Sequence, residues 1–365
     1  FVPPVFFYLT LRKLLNCVLQ MKLKQVHIDS YKLFRGFDMD FCVDNRPLSI
    51  VVLAGINGNG KSTLLKYLLP KKISTNHTGT VNVLTDNGDE SFQIPPSIGE
   101  YNRYKQVFDS ILYFDAENVS QASGQLQREV LRYVDRVVYV EGKTSFEAYQ
   151  EIQSLIDDVF ADFHLQVRFK GIDENKQLVF VNGNGEAFGV DGLSDGEKQV
   201  LAKVFPLFAA DMKGRVILMD EPESSLHPSW QGYLLPVLRR CAEANDCQFI
   251  LATHSPQIIS SAYREEIRML TRNAEGHVQA EYCVDGSYGW TVEKVLDEIQ
   301  EVLMQRVPEI ERRLEALRMA VRGNRYDTEP FKHELAELEA LLGYSDRDLT
   351  LIRLEIIRRK KGQKS

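Results

Sequence analysis

LSIVVLAGINGNGKST, residues 48–63, joins an apolar run to a glycine-rich turn. The run is continuous enough for a strand buried on both faces, which is typical of a parallel sheet. The turn matches G-x-x-x-x-G-K-[ST], whose glycines let successive N–H groups point inward at phosphate oxygens. The leucine-rich stretch at residues 62–69 predicts a helix, whose positive N-terminal end favours an anion. A chance glycine turn rarely has both neighbours, so the segment predicts a phosphate-binding loop in an α/β fold.

The residues of this loop predict a site for ATP and Mg²⁺. We expect Lys61 to contact the β- and γ-phosphates, which also makes it a catalytic residue, and the Ser62 hydroxyl to ligate Mg²⁺. The predicted nucleotide-binding residues are Asn57, Gly58, Asn59, Gly60, Lys61, Ser62 and Thr63.

A second apolar run, VILMDEP at residues 216–222, ends in two carboxylates. As a strand it would deliver Asp220 to the edge of the sheet, where the carboxylate can hold Mg²⁺ through water. Glu221, one residue later, would then orient and deprotonate the attacking water. Two acids after a strand can also be a solvated strand end, but the presence of the phosphate-binding loop favours the catalytic interpretation.

His254 follows a predicted strand, Gln248–Ala252, within the sequence ATHSP. A single histidine after a strand is more often structural than functional. Because this strand follows the one that ends in Asp220 and Glu221, we interpret His254 as a catalytic residue.

LSDGEKQ, residues 193–199, precedes an apolar stretch that predicts a helix. Taken alone, the pattern is a helix cap, since Glu197 lies three residues after Ser194 as in a capping box. Its meaning depends on the motifs around it.

The order of these motifs resembles that of ATP-binding-cassette (ABC) ATPases, and the resemblance covers residues 22–271. It implies a P-loop NTPase fold, namely an ABC-ATPase head with a mixed sheet and a helical lobe. It also implies that Ser194, Gly196 and Glu197 contact the γ-phosphate of a nucleotide held on a partner head. His254 would be the γ-phosphate switch, and residues 224–228 would link the two sites.

One position departs from the transporter pattern, and one loop of the pattern has only a candidate residue. Asp195 stands where transporters usually carry glycine, and the continuation Gly-Glu-Lys-Gln is more similar to the RecF and SMC branch. The glutamine loop is expected at residues 115–121, with Gln121 as its candidate.

The gap between Thr63 and Leu193 is too short for the coiled coil that SMC-type proteins insert there. The compact chain resembles the AAA_21-like ATPases of bacterial anti-phage systems of the Septu, PARIS and retron-associated kinds. The resemblance is carried by YFDAE, EAYQEIQ, LSDGEKQ and DEPESSLHP. It implies a regulatory ATPase that pairs with a second copy of itself and controls a separate effector protein such as a nuclease.

A RecF-like ATPase that repairs DNA or senses its structure remains the alternative, while the signature disfavours a transporter subunit. VYVEG at residues 138–142 is similar to the first strand of a Toprim nuclease, ending in Glu141. The second acidic strand is missing, because Asp157 and Asp158 fall in a predicted helix, so nuclease activity is not expected in this chain.

The composition is that of an ordinary globular protein, with 44% hydrophobic and 26% charged residues and a net charge of −7. This charge gives no general attraction to nucleic acid. The dense basic run at residues 358–361 is more typical of a solvated end than of a nucleic-acid contact. Five cysteines without CxxC spacing favour a reducing compartment, so we expect a cytoplasmic protein without a membrane span.

The chain is expected to have three parts. Residues 1–20 are apolar but interrupted by Pro3, Pro4, Arg12 and Lys13, and we treat them as an extension that need not be native. Residues 21–290 alternate strands with helices and form the predicted ATPase domain, with a helical lobe at about 116–205. Residues 291–365 are charged, leucine-rich helical stretches, predicted to form a domain for oligomerisation or effector docking.

Overall fold

The central sheet has five parallel strands and one antiparallel edge strand. In spatial order they are β15 (Val278–Tyr282), β14 (Ile267–Arg272), β5 (Ile50–Ala54), β13 (Gln248–Ala252), β12 (Val216–Asp220) and β8 (Leu112–Asp115). Every residue of β5, β12 and β13 is buried, as expected for parallel strands covered on both faces. The predicted mixed α/β fold is confirmed.

The computed structural model describes residues 20–69, 77–115, 122–160, 167–209, 212–224, 226–282, 285–300 and 306–362. The chain divides into two compact units, residues 1–300 and 301–365. Within the described ranges, no helix is both long and apolar enough to cross a membrane.

An antiparallel sheet covers one face of the central sheet. Its strands, in the order β2-β1-β6-β7, are β1 (Met21–Tyr31), β2 (Phe34–Asp40), β6 (Thr78–Thr85) and β7 (Gly88–Ile94), and a short hairpin of β3 (Cys42–Val43) and β4 (Arg46–Pro47) lies beside it in sequence. Together with helices α1 (Lys61–Tyr67) and α2 (Tyr101–Phe108), the sheet encloses a core that includes Val51 and Leu53 of β5.

Helices cover the other face of the central sheet. They are α6 (Pro228–Asn245), α7 (Pro256–Ser260) and α8 (Val292–Glu298). Their core includes Ile50, Val52 and Ala54, the β5 residues that alternate with those of the first core. The uninterrupted apolar run therefore fills two cores at once.

A lobe of three helices and a small sheet is inserted between β8 and β12. The helices are α3 (Ala122–Tyr139), α4 (Ser145–Phe160) and α5 (Asp195–Ala209), and the strands are β9 (Arg168–Ile172), β10 (Leu178–Val181) and β11 (Ala187–Phe188). They share a core of their own. The segment compared above with a Toprim strand lies at the end of α3, so that comparison is wrong: Val138 and Tyr139 are helical, and a turn follows them.

The second unit is a group of three helices, α9 (Pro308–Arg322), α10 (Glu329–Leu342) and α11 (Arg347–Gly362). They bury a small core around Leu314, Leu338 and Leu349. The division at residue 300 falls ten residues after the predicted one. The reason is that Val295 and Ile299, in and just after α8, pack in a core of the first unit.

Candidate nucleotide-binding site

Three adjacent parallel strands bring the predicted catalytic residues together. The order β5-β13-β12 places the ends of these strands side by side. Lys61 follows β5, His254 follows β13, and Asp220 ends β12. The carboxyl ends of parallel strands are where open α/β sheets bind ligands. Residues separated by up to about 190 positions thus form one cluster because of the sheet order.

The phosphate-binding loop has the strand–turn–helix form that the sequence predicts. Gly55, Gly58 and Gly60 have φ values of 133°, 84° and 86°, a region that side chains rarely permit. A Cβ atom on Gly55 would lie 2.5 Å from the carbonyl oxygen of Leu270 in β14. Glycine at position 55 is therefore required both by the backbone conformation and by the close approach of the neighbouring strand.

Hydrogen bonds with β14 hold the loop in place. The Arg272 guanidinium donates to the carbonyl of Gly58 at 2.9 Å and to Asn59 Oδ1 at 3.3 Å. Asn59 in turn donates from Nδ2 to the Leu270 carbonyl at 2.7 Å. The side chain of Asn59, predicted to bind nucleotide, is thus occupied in shaping the loop.

Lys61 lies inside the loop and is almost fully buried. Its ammonium donates to the carbonyls of Gly55 at 2.6 Å and Ile56 at 3.2 Å, and to His254 Nδ1 at 3.3 Å. Burial lowers the pKa of Lys61 to about 8, while the nearby carboxylates of Glu221, Glu223 and Asp220 act in the opposite direction.

Ser62 and Asp220 place a hydroxyl and a carboxylate side by side. The Ser62 hydroxyl donates to Asp220 Oδ1 at 2.7 Å, and the Tyr113 hydroxyl donates to Oδ2 at 3.1 Å. A hydroxyl beside a carboxylate suits Mg²⁺, which takes oxygen ligands and usually relies on few protein groups plus phosphates and water. The described residues contain no group of three or more His, Cys, Asp or Glu side chains arranged for a metal ion.

Glu221 has an unusual backbone conformation, with φ at 48°. Its N–H donates to the carbonyl of Ala252 at 2.8 Å, which ties it to the end of β13. Non-glycine residues in this region are uncommon and cluster at functional sites. The Glu221 carboxylate lies 3.8 Å from His254 Nε2 and is about half exposed, so water can reach it.

His254 is neutral in this environment. Burial is the main cause that lowers its pKa, to about 4, and the charge of Lys61 adds to it. Since Nδ1 accepts from the Lys61 ammonium, the ring proton belongs on Nε2, on the side of Glu221.

The signature residues form a helix cap at the start of α5. The N–H of Ser194 donates to Glu197 Oε2 at 2.6 Å, and the N–H of Glu197 donates to Ser194 Oγ at 3.3 Å. Gly196 lies against Trp230, where an added Cβ would approach the indole within 3.2 Å. These hydrogen bonds join the cap to itself and do not bring Ser194 into the cluster around Lys61.

Three residues near the site were not singled out from the sequence: Tyr113, Lys203 and Glu223. Glu223 is the acid two residues after Glu221 in DEPES, so the motif held a signal for it. Tyr113 and Lys203 carry no such signal, because their partners lie far away in sequence. Gln121, the glutamine-loop candidate, and residues 1–19 lie outside the described residues.

Three residues of the basic run at the end of α11 form ion pairs with acids. Arg358 and Arg359 form ion pairs with Glu355, and Lys360 forms one with Asp327. This arrangement gives no support to a nucleic-acid contact at these positions.

Residues 111–260 match the family model described as "AAA domain, putative AbiEii toxin, Type IV TA system". The chain is 28% identical over 195 residues to the "Retron Ec83 probable ATPase" of Escherichia coli, covering 50% of this chain and 34% of the relative. It is 24% identical over 218 residues to "Septu protein PtuA" of Bacillus thuringiensis, covering 55% of this chain and 51% of the relative. The matches thus span about a third to a half of the length of these relatives.

Among solved structures, an SMC head bound to the C-winged helix domain of ScpA is similar, with a TM-score of 0.49 and 14% identity. The similarity covers 71% of this chain and 97% of that one. Over residues 111–260 the chain thus matches the model of this AAA family, and it is similar in sequence to the retron Ec83 probable ATPase and to Septu protein PtuA.

Proposed function

We propose that the chain binds and hydrolyses ATP and that ATP closes two copies of its head to control a partner effector in anti-phage defence. The observation that carries the proposal is the convergence of Lys61, Ser62, Asp220, Glu221 and His254 at the ends of three neighbouring strands. The relatives in retron and Septu systems support the defence role.

Each residue of the cluster has a distinct task in the proposed reaction. Lys61 binds the β- and γ-phosphates, and Ser62 and Asp220 hold Mg²⁺, which neutralises phosphate charge when bound. Glu221 accepts a proton from the attacking water. The Nε2–H of His254 donates to the γ-phosphate.

The proposed role of Ser194 requires a second copy of the chain. Its hydroxyl and the N-terminal end of α5 form a cap that a phosphate of another head's nucleotide can approach. Charge-assisted hydrogen bonds to that phosphate exist only in the closed pair, so ATP favours closure. Hydrolysis removes the phosphate and lets the pair open.

The test compares wild-type protein with Glu221→Gln and Lys61→Ala. Glu221→Gln should lower kcat at least about 100-fold, because the base is lost, while ATP affinity changes little. It should also remain paired in ATP and Mg²⁺, as measured by light scattering. Lys61→Ala should lose ATP binding.

Glu174→Gln is the matched control, because Glu174 is exposed in the turn between β9 and β10. It should hydrolyse ATP and dissociate like wild type. Wild-type turnover in Glu221→Gln would refute the assignment of the base, and a protein that stays monomeric while saturated with ATP would refute the closure. Purifying Glu221→Gln from cells that carry its neighbouring genes should recover the effector.

A further inference from the structure

Glu223 has a largely buried carboxylate that holds the loop after β13. Its Oε1 accepts from the Thr253 hydroxyl at 2.7 Å, from the N–H of His254 at 2.6 Å and from the N–H of Ser255 at 3.1 Å. Its Oε2 is buried without a hydrogen-bond partner. Burying a charged group is costly unless it is well hydrogen-bonded. The three donors at Oε1 offset this cost, and in doing so they hold the backbone of residues 253–255 against Glu223.

Lys203 holds the segment that carries Glu223. From α5, its ammonium donates to the carbonyl of Pro222 at 2.6 Å and to that of Ser224, the residues on either side of Glu223. Lys203 lies two turns after the signature cap on the same helix. Lys203 therefore connects α5, the helix capped by Ser194, to the segment that holds His254.

The backbone of His254 is fixed at both of its polar groups. Its N–H donates to Glu223, and its carbonyl accepts from Gln300 Nε2 at 2.7 Å. The imidazole then lies between the Lys61 ammonium and the Glu221 carboxylate. A shift of this backbone would move Nε2 relative to the reacting phosphate, and small displacements of this kind slow catalysis strongly.

We propose that Lys203 and Glu223 are positioning residues that connect the signature helix to His254. Contact of the signature cap with a second copy is transmitted along α5, through Lys203 to the segment 222–224, and from Glu223 to the His254 backbone. The expected effect on kcat rests on the proposed hydrolysis of ATP. The hydrogen bonds that hold the His254 backbone are present without ATP.

The kinetic test is a double-mutant cycle with His254. Glu223→Met and Lys203→Met should each lower kcat at least about tenfold while the ATP Kd stays within about twofold, because the phosphate-binding loop is untouched. In a His254→Asn background, either change should cost less than about a further twofold, since residues that act through one another are not additive. Equal losses in both backgrounds would overturn the proposal.

Two matched variants separate positioning from folding. Glu223→Gln keeps an oxygen that accepts the three hydrogen bonds and should recover most of kcat. Lys213→Met removes an exposed lysine in the turn after α5 and should behave like wild type. A Glu223→Gln protein as slow as Glu223→Met would contradict the role of the hydrogen bonds.

A measurement without ATP distinguishes failure of this inference from failure of the proposed function. The ¹⁵N shifts of the His254 ring should show the proton on Nε2 in wild type and a mixture of tautomers in Glu223→Met and Lys203→Met. Unchanged shifts in both variants overturn the positioning role even if ATP is hydrolysed. Changed shifts support it even if wild type proves to lack turnover.

Discussion

The hydrogen bond between Lys61 and His254 sets the charge state of the site. The ammonium donates to Nδ1, so a protonated imidazole would face it with a second positive charge. This repulsion, added to burial, keeps the pKa of His254 near 4. A neutral ring with its proton on Nε2 can donate to a phosphate oxygen without changing its own charge, so it acts as a donor throughout the neutral pH range.

The lowered pKa of Lys61, about 8, predicts that ATP binding weakens in mild alkali. Below this pKa the side chain is positively charged and attracts phosphate. Above it, the side chain of the ATP-free protein is neutral and this attraction is lost. The dissociation constant of a fluorescent ATP analogue should therefore rise about tenfold between pH 8 and pH 9.5. With an ordinary lysine pKa of 10.5, it would stay flat over this interval.

Lys203 needs a control, because burial lowers its pKa to about 8 as well. Lys203→Met removes that titration and should keep the rise in the dissociation constant. A dissociation constant independent of pH in wild type, or a rise abolished by Lys203→Met, would contradict the assignment to Lys61.

At the scale of elements, the contact between the phosphate-binding loop and β14 is close enough to test. Gly55→Ala would place a methyl group 2.5 Å from the Leu270 carbonyl at a φ of 133°. We expect the free energy of unfolding to fall by roughly 2–4 kcal/mol and ATP binding to weaken, because β5 and β14 must separate. Denaturant unfolding followed by fluorescence measures the change.

Gly232→Ala is the matched control for this substitution. Gly232 lies inside α6 with no atom within 4 Å of an added Cβ. Alanine should raise the free energy of unfolding by up to about 1 kcal/mol, since it favours the helix. If Gly55→Ala were as stable as wild type, the close approach of the two strands would be wrong.

The elements predicted best are those whose side chains face a core on both sides. The run at residues 48–54 became β5, and the runs before Glu221 and His254 became β12 and β13. The strands of the antiparallel sheet are harder to predict from the sequence. In β6 (Thr78–Thr85), for example, burial alternates along the strand, so there is no continuous apolar run to indicate it.

The catalytic residues of the site were predicted from short motifs, but the hydrogen bonds that connect them to other elements were not. Strand–loop–helix and strand–acid patterns are local, so Lys61 and Asp220 could be found in the sequence. The contacts of Tyr113 with Asp220 and of Lys203 with Pro222 and Ser224 depend on which elements become neighbours. The order of strands in a sheet and the packing of a lobe helix are set by the whole chain, not by local pattern.

At the scale of the whole molecule, the two units are expected to unfold separately, since each has its own core. Leu314 is fully buried in the second unit. Leu314→Ala should lower the stability of that unit by about 2–4 kcal/mol through the cavity it leaves. In calorimetry, the transition of the first unit can be identified because added ATP shifts it. The Leu314→Ala substitution should leave that transition unchanged and move the transition of the second unit to lower temperature.

Met319 provides the comparison on the same helix, because 54% of it is exposed. Met319→Ala should change stability by less than about 0.5 kcal/mol. A single transition that moves as a whole in Leu314→Ala would show that the units unfold together.

The grip of Arg272 and Asn59 on the phosphate-binding loop has a thermodynamic meaning. Since Gly58, Asn59 and Leu270 are already joined by side-chain hydrogen bonds, the loop does not have to be ordered when a ligand arrives. The loop then loses little conformational entropy when ATP binds, so less of the interaction energy with phosphate is offset and the affinity is higher. The loop is therefore preorganised for phosphate by its contacts with β14.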